Sequence, residues 1–233
     1  MAAPLPNAEL MRSLGRLVRG LSALFWGLPL AFLVCFYTAR ADLLKSFGIT
    51  PPLACTGMLV YGLWQVGGFQ KQERVWRNAL DWARILALVN FMLSPFLYWW
   101  NREPSIPFFT AMVVLLSISS LLFLASLNLV IQRLGAMLPD EGLRLEIRQF
   151  TAMNLNLLLV ILILAVAYLA ALSAGAFSLQ LPPWLDDITA IVQRTGILCV
   201  TALAMLVLLP MAMTMALLWK TKEVILEGVF SSK

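Results

Sequence analysis

Residues 106–131, IPFFTAMVVLLSISSLLFLASLNLVI, decide the fold class of this chain. The stretch contains no charged residue, and it is longer than the roughly 20 apolar residues that an α-helix needs to cross a bilayer. A helix satisfies its backbone hydrogen bonds internally, which is the requirement that lipid imposes on any spanning segment. The stretch therefore predicts a transmembrane helix.

Apolar blocks of similar length lie on both sides of this stretch, and the 233-residue chain is 61% hydrophobic but only 12% charged. A soluble domain carries about twice that charged fraction. We therefore predict an all-α, polytopic transmembrane helix bundle of about six spans, forming a single transmembrane domain over residues 1–233. The predicted spans are 21–39, 52–69, 80–100, 106–131, 151–177 and 196–219.

Residues 1–19 precede the first span and read as an amphipathic cytoplasmic leader. Arg12, Arg16 and Arg19 share one helical face, and leucines mark another. The pattern is typical of a helix on the membrane surface or of an extension of the first span.

A second amphipathic segment separates spans 4 and 5. Pro139 ends the fourth span, and Leu143, Ile147 and Phe150 then form an apolar stripe. We predict a short amphipathic interfacial helix that runs into span 5, with a partner-docking helix as the alternative.

The end of span 1 resembles the cleavage site of a secretory signal, because Ala39-Arg40-Ala41 follows a basic leader and an apolar stretch. The apolar stretch is longer than a usual signal core, and the arginine is unfavourable for cleavage. We expect span 1 to be retained. Cleavage would give a mature start at Asp42 and leave five spans.

The distribution of Lys and Arg predicts that both termini are cytoplasmic. Thirteen of these residues fall in the termini and the even-numbered loops, and four fall in the other loops. The thirteen are Arg12, Arg16, Arg19, Lys71, Arg74, Arg77, Arg84, Arg133, Arg144, Arg148, Lys220, Lys222 and Lys233. The four are Arg40, Lys45, Arg102 and Arg194.

Aromatic residues near the span ends predict interfacial anchors, since amphipathic rings favour the headgroup level. At the outer ends these are Tyr37, Tyr98, Trp99, Trp100 and Trp184. At the inner ends they are Trp76, Trp82 and Trp219.

The chemistry of the side chains argues against an enzyme. The chain has no histidine, which excludes His-ligated metals and Ser-His or Cys-His catalysis. No charged residue falls near a span midplane, and Asp81 and Arg84 are spaced to pair with each other at the start of span 3. No nucleotide-binding or metal-binding motif is present. We predict no cofactor, no metal and no nucleic-acid partner.

The candidate polar contacts within the membrane are neutral. Asn90 lies near the middle of span 3, one turn before Ser94, and Pro95 makes this the expected place for a distorted turn. On spans 4 and 5, antiparallel packing is expected to bring three amides together, with hydrogen bonding between helices favoured over a substrate site. These amides are Asn128, Asn154 and Asn156.

Small residues on span 5 predict a packing face. Ala167, Ala171 and Gly175 recur every four residues, which is the spacing that allows close helix approach. The face would serve either folding within the chain or docking onto another subunit.

Three functions follow as hypotheses. The favoured one is a non-catalytic subunit, scaffold or assembly partner of a membrane complex, in contact with the bilayer and with other membrane subunits or further copies of itself. The alternative is a small permease or channel for a neutral or apolar solute, based on Asn90 and on prolines in three spans. The weakest is a lipid-modifying enzyme that uses Asp81, Arg84 and the segment 140–148 at the cytoplasmic face. The short loops and the charge distribution suggest a multi-pass protein of a bacterial cytoplasmic membrane.

Overall fold

A computed structural model describes residues 6–41, 46–69, 74–137, 141–176 and 196–230. Of these described residues 93% are helical, and none of them forms a strand. The helices are α1 (Pro6–Arg40), α2 (Thr50–Val66), α3 (Arg74–Leu93), α4 (Phe96–Arg102), α5 (Pro107–Met137), α6 (Glu141–Ala176) and α7 (Gly196–Phe230).

Five helical segments of the described chain are long and apolar enough to cross a membrane, which fits a membrane location. They are Met11–Arg40, Arg74–Arg102, Pro107–Met137, Arg144–Ala170 and Met205–Glu227. The second predicted span is the exception, because α2 ends at Val66 and has 17 residues. At 1.5 Å per residue it is about 26 Å long, slightly short of the roughly 30 Å hydrocarbon layer.

Two predicted surface segments are continuous with the neighbouring spans. α1 runs unbroken from Pro6 to Arg40, with Pro29 inside it, so residues 6–19 of the predicted leader form one helix with the predicted first span. α6 likewise joins the interfacial segment from Glu141 to the fifth span. Ile147 in its first turns is buried against Gly135 of α5.

The predicted distortion in span 3 is confirmed at Ser94 and Pro95. α3 ends at Leu93, these two residues form a turn, and α4 begins at Phe96. Proline has no N–H to give to the preceding turn, so the α-helical bonding pattern stops here. The Leu97 N–H instead bonds to the Ser94 carbonyl at 3.3 Å.

The helices contact one another in the order α1, α2, α3, α5, α6, α7 and back to α1, which closes a ring. α4 packs on α1 and α5, and α5 also contacts α7. Because neighbouring helices are antiparallel, the first turns of α1, the last turn of α2 and the first turns of α3 lie at one end of the bundle. The end of α5, the start of α6 and the end of α7 meet at this same end. Arg16, Arg84 and Lys220 therefore share one end of the bundle, which we name the basic end.

α1 and α2 approach each other closely where two glycines face each other. A Cβ on Gly20 would lie 2.8 Å from the Gly62 carbonyl oxygen and 2.9 Å from the Val66 nitrogen. A Cβ on Gly62 would lie 3.2 Å from the Gly20 carbonyl oxygen. Because backbone atoms oppose these positions, any larger side chain would push the two helices apart.

The aromatic prediction needs one correction. Trp76 is 1% exposed, and its Nε1 donates to the Phe69 carbonyl at 3.2 Å, so it is a core residue of the α2–α3 contact. Trp82 and Trp219 are exposed, and their interfacial position stays a prediction. Trp184, together with Lys45, Lys71, Arg194 and Lys233 of the charge count, lies outside the described residues.

Candidate functional site

An asparagine of α5 and an asparagine of α6 meet a threonine of α7 inside the bundle. Asn154 Nδ2 donates to Asn128 Oδ1 at 2.9 Å, and Asn128 Nδ2 donates to Thr214 Oγ1 at 2.9 Å. All three side chains are fully buried. We name these three residues the amide cluster. Hydrogen bonds among their side chains link α5, α6 and α7.

The two ends of the Asn154 amide have different surroundings. Besides Asn128 Oδ1, its nitrogen lies 3.0 Å from Thr214 Oγ1 and 3.1 Å from the Pro210 carbonyl oxygen. The Thr214 hydroxyl donates to that same carbonyl at 2.7 Å. By contrast, Asn154 Oδ1 and the Thr151 hydroxyl one turn earlier are buried with no hydrogen-bond partner among the described residues. The cluster therefore has one amide acceptor unused.

Asn156 does not join the amide cluster, so the expectation that three asparagines meet is wrong for this residue. Two positions along an α-helix rotate a side chain by about 200°. Asn156 accordingly points away from α5 and α7 and is exposed. Its side chain makes no hydrogen bond within the described part of the chain. The residue lies about 12 Å along α6 from Arg148, inside the apolar segment.

Asn90 and Ser94, one turn apart on α3, bond to different helices. The Ser119 hydroxyl of α5 donates to Asn90 Oδ1. The Ser94 hydroxyl lies 3.2 Å from the Thr56 hydroxyl of α2 and donates to the Phe91 carbonyl at 3.0 Å. Both predicted residues are buried, and both hold α3 to its neighbours.

A largely apolar cavity of about 370 Å³ lies inside the ring, with walls from every helix except α6. It extends from Arg40 and Trp100 at one end to Leu124 and Met211 at mid-bundle. Asn90 contributes to its wall, whereas Ser94 does not. Towards the basic end the interior is filled by buried leucines. The cavity is thus a recess with one closed end.

α6 has one buried side and one exposed side. The buried residues repeat every three or four positions and face α5 and α7: Ile147, Thr151, Asn154, Leu158 and Ile161. The exposed residues with the same repeat form what we name the outer face of α6: Asn156, Val160, Ile163 and Ala167. Ala167 is therefore not used for packing within the chain. The surroundings of Ala171 and Gly175, the other two residues of the predicted packing face, lie outside what the structure describes.

Charged side chains pair only near the basic end in the described chain. Arg84 Nη1 lies 3.3 Å from Asp81 Oδ1, as their spacing on α3 predicted. Lys220 of α7 pairs with Glu146 of α6. Within the described residues no group of three or more His, Cys, Asp or Glu could hold a metal ion.

The sequence interpretation missed two threonines that complete these contacts. Thr56 and Thr214 each follow a proline by four positions, and each donates its hydroxyl to that proline's carbonyl. A hydroxyl bonded in this way still offers lone pairs to a neighbouring helix. The repeated Pro-x-x-x-Thr spacing is the signal that would have found both.

Comparison of the chain with protein-family models, with curated proteins and with solved structures finds no match in any of the three. The functional conclusion therefore depends on the geometry described above.

Proposed function

We propose that the chain is a non-catalytic component of a membrane complex, which docks a transmembrane helix of another subunit on the outer face of α6. The observation that carries this proposal is the unpartnered amide of Asn156 on that face. The other asparagines described above are already bonded between helices of this chain.

An amide that faces hydrocarbon costs free energy, because lipid offers neither donors nor acceptors. A helix of a second subunit can supply them, and such a bond contributes about 1 kcal/mol. Ala167, three turns further along the same face, has no side chain beyond Cβ to hold a partner backbone away. The amide and the alanine thus favour the same occupant on the same face.

We further propose a multi-pass protein of a bacterial cytoplasmic membrane with six crossings and both termini in the cytoplasm. The charge distribution supports this orientation, as does the gathering of Arg16, Arg84 and Lys220 at one end of the bundle. The packing of buried α1 leucines into the core supports its retention. An impermeant thiol reagent should label a cysteine placed at Arg12 only from the cytoplasmic side; labelling from outside would refute the orientation.

Gentle extraction followed by mass measurement tests the docking proposal. We expect a particle larger than the 25.9 kDa chain plus its detergent. Asn156→Leu should weaken the association about fivefold, since it removes about 1 kcal/mol of hydrogen bonding between helices.

Gln149→Leu is the matched control, because Gln149 is also an exposed amide of α6 but lies next to Arg148 at the basic end. We expect this variant to associate like the parent chain. A strictly monomeric parent particle, or equal weakening by both variants, would contradict the proposal.

The cavity inside the ring favours a second candidate function, a permease for a neutral or apolar solute. Its walls are largely apolar, and Thr56 and Asn90 supply polar atoms. Passage would require the leucines between the cavity and the basic end to separate. A cysteine at position 90 should then react with aqueous thiol reagents, and complete protection would end this candidate.

A further inference from the structure

A cleft at the basic end has a composition suited to an anion, and it is separate from the outer face of α6. Its volume is about 360 Å³, many times the roughly 30 Å³ that one water occupies in the liquid. It lies between the first turns of α1, the end of α2 and the start of α3. Its lining residues are Arg16, Trp64, Gln65, Gly67, Gly68, Phe69, Trp76, Arg77, Leu80 and Arg84.

Two glycines that end α2 let the arginines of its neighbours approach. A Cβ on Gly67 would overlap Nη2 of Arg84. A Cβ on Gly68 would lie 3.6 Å from Nη1 of Arg16. Arg84 from α3 and Arg16 from α1 thus both reach the short segment that follows α2. Arg77 adds a third guanidinium to the cleft.

The positive charge of the cleft is only partly balanced. Asp81 is 3.3 Å from Arg84, but Arg16 and Arg77 pair with no carboxylate among the described residues. The carbonyl end of α2 contributes a partial negative charge of about half an electron. Three guanidinium groups exceed these two contributions.

The N–H donors of the Arg84 guanidinium are not all used in hydrogen bonds. Its Nη2 reaches the Leu63 carbonyl at only 3.5 Å, and its Nε is buried with no acceptor among the described residues. A guanidinium carries five N–H donors in a planar fork, which matches the oxygens of a phosphate. The unused N–H donor and the excess positive charge both favour the binding of an anionic acceptor.

Aromatic residues place this cleft at a headgroup level. Arg84 lies 5.5 Å from the centre of the Trp64 ring, and Trp64 is 72% exposed. Trp82, two residues before Arg84 on α3, is 60% exposed. Exposed indoles at the end of apolar helices favour the interface between lipid tails and water.

We propose that the cleft binds the phosphate group of an anionic phospholipid, with Arg16, Arg77 and Arg84 as its ligands. The lipid's phosphodiester supplies the acceptor oxygens, and its acyl chains follow the apolar surface of the helices. Phosphatidylglycerol is a suitable probe, and phosphatidylcholine is the probe without net charge.

The test uses the full chain in nanodiscs of phosphatidylcholine with a minor fraction of phosphatidylglycerol. The lipid that stays bound after transfer to detergent is counted by native mass spectrometry. We expect phosphatidylglycerol to be retained in preference. Arg77→Gln, an exposed position at the rim, should lower retention about fivefold, which corresponds to about 1 kcal/mol per interfacial arginine.

Two further variants distinguish a specific lipid site in the cleft from a general electrostatic attraction between the basic end and anionic lipid. Arg133→Gln removes the same charge on α5, outside the cleft lining, and should retain the lipid within twofold of the parent. Gly67→Ala keeps every charge but displaces the Arg84 guanidinium, so it should lower retention. Equal losses for Arg77→Gln and Arg133→Gln would overturn the proposal.

Inorganic phosphate distinguishes the two sources of a phosphate group. Retained phosphatidylglycerol that excess phosphate does not displace supports a lipid headgroup. A chain that retains no phosphatidylglycerol, yet binds phosphate in a manner dependent on Arg77, overturns the lipid assignment. Elution of each variant as the same monodisperse species confirms that it has folded.

Discussion

Hydroxyl and amide groups in the interior contribute to stability only through the partners that other helices supply. The Thr214 hydroxyl donates to its own helix and accepts from Asn128 and Asn154, so one oxygen holds three helices. The Thr221 hydroxyl is equally buried on the same helix, but it donates to the Leu217 carbonyl of its own helix. The two threonines therefore differ in role although both are fully buried on α7.

This difference gives a prediction at the scale of one residue. Thr214→Val keeps the shape but leaves two amide nitrogens with fewer acceptors, so it should lower the free energy of unfolding by about 1–3 kcal/mol. Thr221→Val should cost clearly less, because no neighbouring helix loses a partner. Unfolding of the purified chain in mixed micelles measures both, and equal losses would contradict a role for the amide cluster.

At this scale the sequence permitted a partial prediction. Asn128 and Asn154 could be matched, because consecutive antiparallel helices place residues at equal distances from their loop side by side. Asn156 was wrongly added, although the rotation of about 100° per residue puts it on the opposite side of the helix from Asn154. The spacing from Pro210 to Thr214 marks the Thr214 hydroxyl, but no local pattern says that α7 lies against both α5 and α6.

At the scale of elements, α1 and α2 show how a glycine pair sets the distance between helices. The glycines of α2 can be read from the sequence, but which glycine of α1 faces them depends on where the two helices cross. The break at Pro95 was predictable, because a missing N–H has its effect within one turn. The short length of α2 could not be predicted, because residues 67–69 are apolar or small and continue the hydropathy pattern beyond the helix end.

Replacement of Gly20 tests this crossing. A Cβ at position 20 would press on the backbone of Gly62 and Val66, and backbone cannot rotate away. Gly20→Ala should therefore destabilise the α1–α2 pair by about 1–3 kcal/mol. Gly15→Ala is the control on the same helix, since a Cβ there meets nothing within 4 Å. Loss of thermal stability in both variants alike would show that the close approach is not the cause.

At the scale of the whole molecule, the ring of helices has three distinct features: the outer face of α6, the cleft at the basic end and the apolar cavity. The sequence indicated only the first of these, and only in part. Small residues on span 5 indicated a packing face, and the structure leaves Ala167 of that face exposed on the same side of α6 as Asn156, three turns away. The basic cleft could not be predicted, because Arg16 and Arg84 are far apart in sequence and meet only through the end of α2. The apolar cavity was likewise unpredictable, since its walls come from six of the seven helices.

The central claim is that a helix of another subunit occupies the outer face of α6. Cross-linking in native membranes tests it most directly, with a photoreactive residue at position 156 and, as control, at Leu122, an exposed apolar residue of α5. We predict a polypeptide adduct at position 156 and only lipid adducts at position 122. Lipid adducts alone at both positions would contradict the claim.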